Sequence, residues 1–257
     1  MGIGEALEPP LDEGGLLEAV PELSLSRGVE QSPYHHLDTF EHTLEVVRGV
    51  QRELEENRLG ARIGQGRVEG LRLAAALHDL AKPLTRGEVE GRVLFVSHDS
   101  VGAALVRRVC RRLGLSASLT DLATTLTALH LKIGFMHHHH ADYPPHRLAR
   151  AAGPFGEELA ILSWADRLAA QGPRLKPEHV ERHRELCVES LRASRGLGPY
   201  PEPDYPALAW RLSSPDRDLA PADVGYAASA LRLFMARGST EERARMRLAT
   251  ALSLRSW

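Results

Sequence analysis

The stretch LRLAAALHDLAKP, Leu71 to Pro83, decides the fold. Its apolar residues recur at helical spacing, and Leu71, Ala75 and His78 fall on one stripe, so His78 points where core residues point. Asp79 projects about 100° further round the same helix and addresses a second object beside the first. Pro83 is expected to stop the helix within a few residues. A neutral imidazole and a carboxylate aimed inward together lose their hydration, and only strong partners offset that loss. A metal ion is such a partner. Because any helix can contain a His-Asp pair, the case depends on what the rest of the chain supplies.

On the N-terminal side, Asp38, Thr39, Phe40 and Glu41 read as a capping box, with Asp38 as N-cap and Glu41 reaching back. Phe40, Leu44, Val47 and Leu54 supply the apolar stripe of that helix. His42 sits in its first turn, on the flank occupied by Val46 and Val50. Gly60 to Gly70 reads as a loop. Residues 1–27, rich in Gly, Pro and acidic side chains around a short apolar stretch from Leu16 to Leu23, read as a loosely packed arm.

On the C-terminal side, Thr85 to Val96 holds Gly87 and Gly91 between short β-prone pieces, which predicts a small hairpin or an extended loop. A helix follows from Asp99 to Leu113, with Val101, Leu105, Val109 and Leu113 inward and four arginines outward; Gly114 ends it and His98 lies at its start. Ser116 caps the next helix, whose Leu119, Leu122, Leu126 and Leu129 face the core and whose end carries His130. Leu131 to Pro145 is an irregular stretch laden with histidine. In the helix Gly156 to Ala170, Asp166 shares an apolar face with Leu159, Leu162 and Ala169. Glu178 to Ser194 continues as helix, Gly196 to Pro206 is a linker, and two short helices are expected around Ala222–Ala236 and Thr240–Ser253. With strand signals almost absent, the class is all-α.

A chain of 257 residues, 43% hydrophobic and 26% charged, buries a sizeable core. A net charge of -2 gives no bulk attraction to nucleic acid. Cys110 and Cys187 are too few for a disulfide framework and fit a reducing compartment. No apolar run approaches the roughly 18 residues of a membrane span, and the N-terminus lacks a signal-peptide pattern, so the cytoplasm is the default. The one anomaly is histidine, at 13 residues. Four form the run His137 to His140, read as a solvated loop in preference to a lid.

His42, His78, Asp79, His98, His130 and Asp166 each fall at or near a helix end, on or beside an inward face. A single buried histidine is most often a satisfied core residue, but coincidence accounts poorly for six such residues in phase. Four imidazoles and two carboxylates form a nitrogen–oxygen set suited to a pair of transition-metal ions rather than a thiolate zinc site.

The order H…HD…H…H…D resembles the HD-domain superfamily of metal-dependent phosphohydrolases. It is more similar still to the HD region of bacterial tRNA nucleotidyltransferases and poly(A) polymerases. The resemblance is carried by GVEQSPYHHLDTFEHTLEVV (28–47), LHDLAKPLTR (77–86), FVSHDSVGAALVRRVCRRLGLS (95–116) and LAILSWADRLAAQGP (159–173). Ala81 stands where that family commonly has Gly. The stretch before Glu30 is too short for a nucleotidyltransferase head domain, so nucleotide addition is not expected.

The resemblance implies an HD-domain helical bundle over 28–195, preceded by the arm 1–27 and followed by a helical extension over 196–257. It implies one metal held by His42, His78, Asp79 and Asp166, and a second held by His98 and His130 with Asp79 bridging. Iron, manganese, magnesium, nickel and zinc all suit such donors. Asp79 and Lys82 would be the catalytic residues, with Lys82, Arg86 and Arg167 contacting the phosphate of the substrate. Tyr34, His35 and His36 would rim the pocket. The expected activity is hydrolysis of a phosphomonoester or phosphodiester, with a nucleotide as natural substrate and RNA as a further partner. Two alternatives share the pattern: an HD-fold di-iron oxygenase similar to inositol oxygenase, and a non-catalytic RNA-binding or regulatory module. A pure binding module has no physical need for all six ligands.

Overall fold

The computed structural model describes residues 2–213 and 219–253. The decisive stretch forms α4 (Gln65–Leu77), in which every residue from Gly70 to Leu77 is buried. α4 packs against α3 (Thr39–Glu56), α7 (Ala117–Leu129) and α9 (Gly156–Ala169). α7 is the innermost helix, buried at every position from Thr120 to Leu129. Two of its threonines are satisfied locally: Thr120 donates to the Ser116 carbonyl at 2.9 Å and Thr124 to the Thr120 carbonyl at 2.7 Å. Ser116 caps α7 by accepting the Leu119 N–H, and Asp38 caps α3 by accepting the Glu41 N–H at 2.8 Å.

α4 ends at Leu77, earlier than expected, and the chain turns through residues 78–81 into a short helix, α5 (Lys82–Thr85). Pro83 therefore does not stop a helix; it sits in the first turn of one, where its missing N–H leaves nothing unpaired. The predicted hairpin is present as β1 (Arg86–Val89) antiparallel to β2 (Arg92–Phe95), with Val89 opposite Arg92. Glu90 (φ 51°) and Gly91 (φ 71°) close it, both left-handed as a two-residue turn between twisted strands requires.

α6 (His98–Arg112) is turned somewhat from the predicted face: Val109 is buried and Leu105 and Leu113 pack against the core as expected, but Val101 is 40% exposed while Gly102, Val106 and Cys110 are buried. The cause is Gly102, where an added Cβ would lie 3.0 Å from the Thr127 methyl. That close approach of α6 to α7 sets the helix rotation. Residues 2–27 are likewise not a loose arm. They form α1 (Ile3–Ala6), α2 (Glu13–Ala19) and a 3-10 turn at Pro21–Ser26, and Ile3, Leu7, Leu16, Val20 and Leu23 join the main core.

Two helices fall outside those expected, each starting at the end of a stretch read as loop or linker: α8 (Pro145–Ala152) and α11 (Tyr205–Leu212), the latter capped by Asp204 accepting the Ala207 N–H. α10 (Pro177–Gly196) packs on α9, and the tail supplies α12 (Pro221–Ala236) and α13 (Glu241–Ser253). α12 packs on α7, α6 and α8. Its Arg232 pairs with Asp121 of α7, and its Asp223 draws in Arg107, one of the arginines expected outward, at 2.7 Å. The His137 to His140 run is exposed, as read. Among the described residues no helix is long and apolar enough to cross a membrane.

Candidate metal centre

Helix ends deliver the six residues. His42 lies in the first turn of α3, His98 opens α6, His78 and His130 each stand one residue past the ends of α4 and α7, and Asp166 lies in the last turn of α9. A helix C-terminus leaves carbonyls without intrahelical partners. His78 Nδ1 meets the Ala75 carbonyl at 2.8 Å and His130 Nδ1 meets the Thr127 carbonyl at 2.7 Å. His98 repeats the pattern on the Phe95 carbonyl at 2.7 Å. A carbonyl can only accept, so each of these rings carries its N–H on Nδ1 and presents an Nε2 lone pair.

Those lone pairs gather around Asp79. Its Oδ2 lies 3.1 Å from His78 Nε2 and 3.7 Å from His42 Nε2. Its Oδ1 lies 3.4 Å from His98 Nε2 and 3.7 Å from His130 Nε2. One carboxylate oxygen thus faces each histidine pair. Asp166 Oδ1 approaches His42 Nε2 at 3.0 Å. His78 Nε2 and Asp79 Oδ1 are buried without a well-formed hydrogen bond, a costly arrangement for polar atoms.

The residues fit metal ions. Separations of 3.0 to 3.7 Å between nitrogen and oxygen are those of neighbouring ligands on one ion, given bonds of about 2.0–2.2 Å. His42, His78 and Asp79 form one ligand group and Asp79, His98 and His130 another, with Asp79 common to both. The donors, imidazole and carboxylate, suit transition-metal and other divalent ions.

The electrostatics agree. Burial alone would raise the Asp79 carboxyl, but His78 and Lys82 hold it well below the usual carboxylate range. Asp166 is held low in the same way, against its burial, by His42 and then His78. Burial, with His78 next, pushes the His130 imidazole down to about 4, which keeps it a neutral donor. For His78, burial opposes protonation, yet the neighbouring Asp79 carboxylate outweighs it and raises the group. A positive charge is favoured at this point whether a proton or a cation supplies it.

Lys82 is not a solvated helix-end residue. It is buried, with Nζ 2.6 Å from Asp79 Oδ2, 2.6 Å from Gln31 Oε1 and 5.3 Å from the centre of the Phe95 ring. Arg167 stands half-buried next to Asp166, its Nε without a partner. Arg86 is exposed on β1, and no hydrogen bond or ion pair joins it to the cluster among the described residues. Tyr34 and His36 stay off the ligand groups, whereas His35, read as a rim residue, comes within ligand distance of His42 and Asp166. Gln31 was not singled out from the sequence. Its only signal was its place in the loop before Asp38.

The family model for the HD domain matches residues 39–171. The A-adding tRNA nucleotidyltransferase of Deinococcus radiodurans is 34% identical over 166 residues, covering 63% of this chain and 35% of the relative. The CC-adding tRNA nucleotidyltransferase of Thermus thermophilus is 34% identical over 191 residues, 70% of this chain and 39% of the relative. A multifunctional CCA protein of Chromobacterium violaceum is 27% identical over 196 residues, 75% of this chain and 40% of the relative. The chain therefore spans about two fifths of the length of these relatives.

Proposed function

The chain belongs to the HD-domain family, and from that premise we propose that it is a metal-dependent phosphohydrolase acting on a nucleotide phosphomonoester or phosphodiester. The observation that carries the reading is the shared carboxylate: one Asp79 oxygen serves His42 and His78, the other serves His98 and His130. A pair of metal ions held there would activate water as a nucleophile at neutral pH and neutralise phosphoryl charge.

The chain's own residues do the rest. His42, His78 and Asp166 join Asp79 at one position, while His98 and His130 share it at the other. The second position has fewer protein donors and leaves more room for water and substrate. Asp166, whose side chain is 22% exposed against 0–1% for His42 and Asp79, marks the open edge by which substrate enters. Lys82 offsets the Asp79 charge and is the nearest cation for a non-bridging phosphoryl oxygen. Arg167 beside Asp166 is the second candidate for that contact, and Arg86 on the hairpin a third. The tRNA-directed names of the relatives support a nucleotide or an RNA end as the substrate class. They also favour this reading over the oxygenase. The orphaned, inward-facing donors favour it over a purely binding module.

A screen of nucleoside monophosphates, cyclic nucleotides and phosphorylated RNA ends, each with manganese, iron(II), nickel, magnesium or zinc, tests the proposal. At least one pairing should release phosphate or open a diester. His78→Ala and Asp79→Ala should each abolish that turnover while keeping the helical far-UV signal. Undiminished turnover in either variant would remove the site from the reaction.

A further inference from the structure

Beyond the six residues, His35 forms a third ligand group with His42 and Asp166, their donor atoms all lying within 4.8 Å of one another. His35 is in the loop between the 3-10 turn and α3, and that loop is fixed at both its base and its tip. At the base, Gly28 N–H donates to Asp38 Oδ2 at 2.7 Å, and the N–H and hydroxyl of Thr39 donate to the Val29 carbonyl at 3.0 and 3.1 Å. At the tip, Gly172 N–H donates to the Tyr34 carbonyl at 2.8 Å and Arg174 N–H to the Pro33 carbonyl at 3.2 Å. The loop backbone rests directly on Gly172, where a Cβ would stand 2.4 Å from the His35 nitrogen. Gly172 follows α9, the helix that carries Asp166.

The ring is placed to ligate. It meets His42 edge-on at 5.0 Å between centres, and its Nδ1 lies 3.4 Å from Ser32 Oγ, a contact that helps hold the ring in place. With metal–ligand bonds of about 2.1 Å, opposite ligands on one ion stand roughly 4.2 Å apart and adjacent ones about 3 Å. Donor atoms within 4.8 Å reach a common ion by shifts of a few tenths of an ångström.

We propose that His35 is a further ligand of the ion held by His42 and Asp166. This rests on the metal-centre reading above and deepens it. The two positions become strongly unequal: His35, His42, His78, Asp79 and Asp166 serve one, and Asp79, His98 and His130 the other. The first ion is then retained tightly and the second exchanges.

Cobalt(II) binding to the full chain, followed by visible absorption and by chelator competition, tests this without recourse to turnover. The parent should bind two ions, one of them much more tightly. His35→Ala should weaken the tight position by about ten- to a hundredfold or more, given that even outer partners of a metal site contribute that much. It should also change the absorption of that ion and leave the weaker position as it was. His35→Asp, which restores an oxygen donor, should recover part of the affinity. His35→Phe, which keeps a ring but no donor, should not. If the parent binds two ions and His35→Ala binds them with unchanged affinity and spectrum, the His35 proposal fails and the six-residue centre stands. A His35→Ala variant that loses turnover but keeps both ions also overturns it, because His35 then acts on substrate. If the parent binds no ion, the centre itself fails.

Discussion

Lys82 places an ammonium 2.6 Å from Asp79 Oδ2 inside a site with two ionised carboxylates, and Gln31 Oε1 accepts from it at 2.6 Å. An ammonium is no metal ligand, so Lys82→Ala should leave metal content intact. It should lower kcat/KM on a phosphate ester by one to three orders of magnitude, about 1.4 kcal/mol per factor of ten. Lys82→Arg should recover only part of the loss, since a planar fork does not fill the place of a compact point charge. Steady-state kinetics with metal measured on the same samples decide it, and a Lys82→Ala enzyme as fast as the parent would end the phosphate-contact role. Glu158 offers a test remote from the chemistry. Burial, opposed by Arg67, pushes its carboxyl from 4.5 up to about 6. The folded state thus binds the proton more readily than the unfolded chain, so the stabilisation is complete below about 4.5 and is lost as pH rises through 6. Above that window the charged carboxylate costs on the order of 2 kcal/mol. Glu158→Gln should therefore be the more stable protein at pH 8 and lose its advantage near pH 4.5. Urea unfolding at both values checks this, and an advantage equal at both would show that Glu158 does not titrate there. The six residues that the structure gathers could be picked out in the sequence because each falls at or near a helix end, on or beside an inward face. His35 and Gln31 were not, because loop residues have no period, and contacts distant in sequence, to Gly172 and Lys82, fix where they lie.

Helices α7 and α12 meet across a polar seam buried on both sides. Arg232 pairs with Asp121, which is 0% exposed, while Tyr205 donates to the same carboxylate at 3.0 Å and Thr125 donates to Ser229 at 2.9 Å. Removing one partner of such a pair leaves a charge buried alone, at a cost of about 3–5 kcal/mol. Arg232→Leu should therefore lower the unfolding free energy by that amount, and the Asp121→Leu, Arg232→Leu double variant should recover much of it. Chemical denaturation of the three proteins gives the coupling, and simple additivity would mean the pair contributes nothing specific. Elements with a clear apolar stripe, such as α9, or a stripe and a cap, such as α3 and α7, could be read from the sequence to within a residue or two. α8 and α11 could not, because proline at their starts reads equally as a linker or as a first helical turn. The rotation of α6 was hidden for a different reason: Gly102 has no side chain to announce the close contact that sets it.

Across the molecule, the main core gathers residues from Ile3 to Ala222, so the N-terminal helices and the start of α12 brace the bundle whose helix ends meet at Asp79, while a second, smaller cluster joins α12 to α13. The sequence showed the bundle and the residues that meet around Asp79, but not that residues 2–27 belong to the packing. Their Gly, Pro and acidic content masked the spacing of Leu16, Val20 and Leu23, all of which are buried. The central claim is that Asp79 joins two metal positions of unequal strength. Metal content per chain, measured by elemental analysis after equilibrium dialysis against manganese, tests it most directly. The parent should hold two ions, His130→Ala about one, and Asp79→Ala none. A parent that retains no ion, or an Asp79→Ala variant that still retains two, would contradict it.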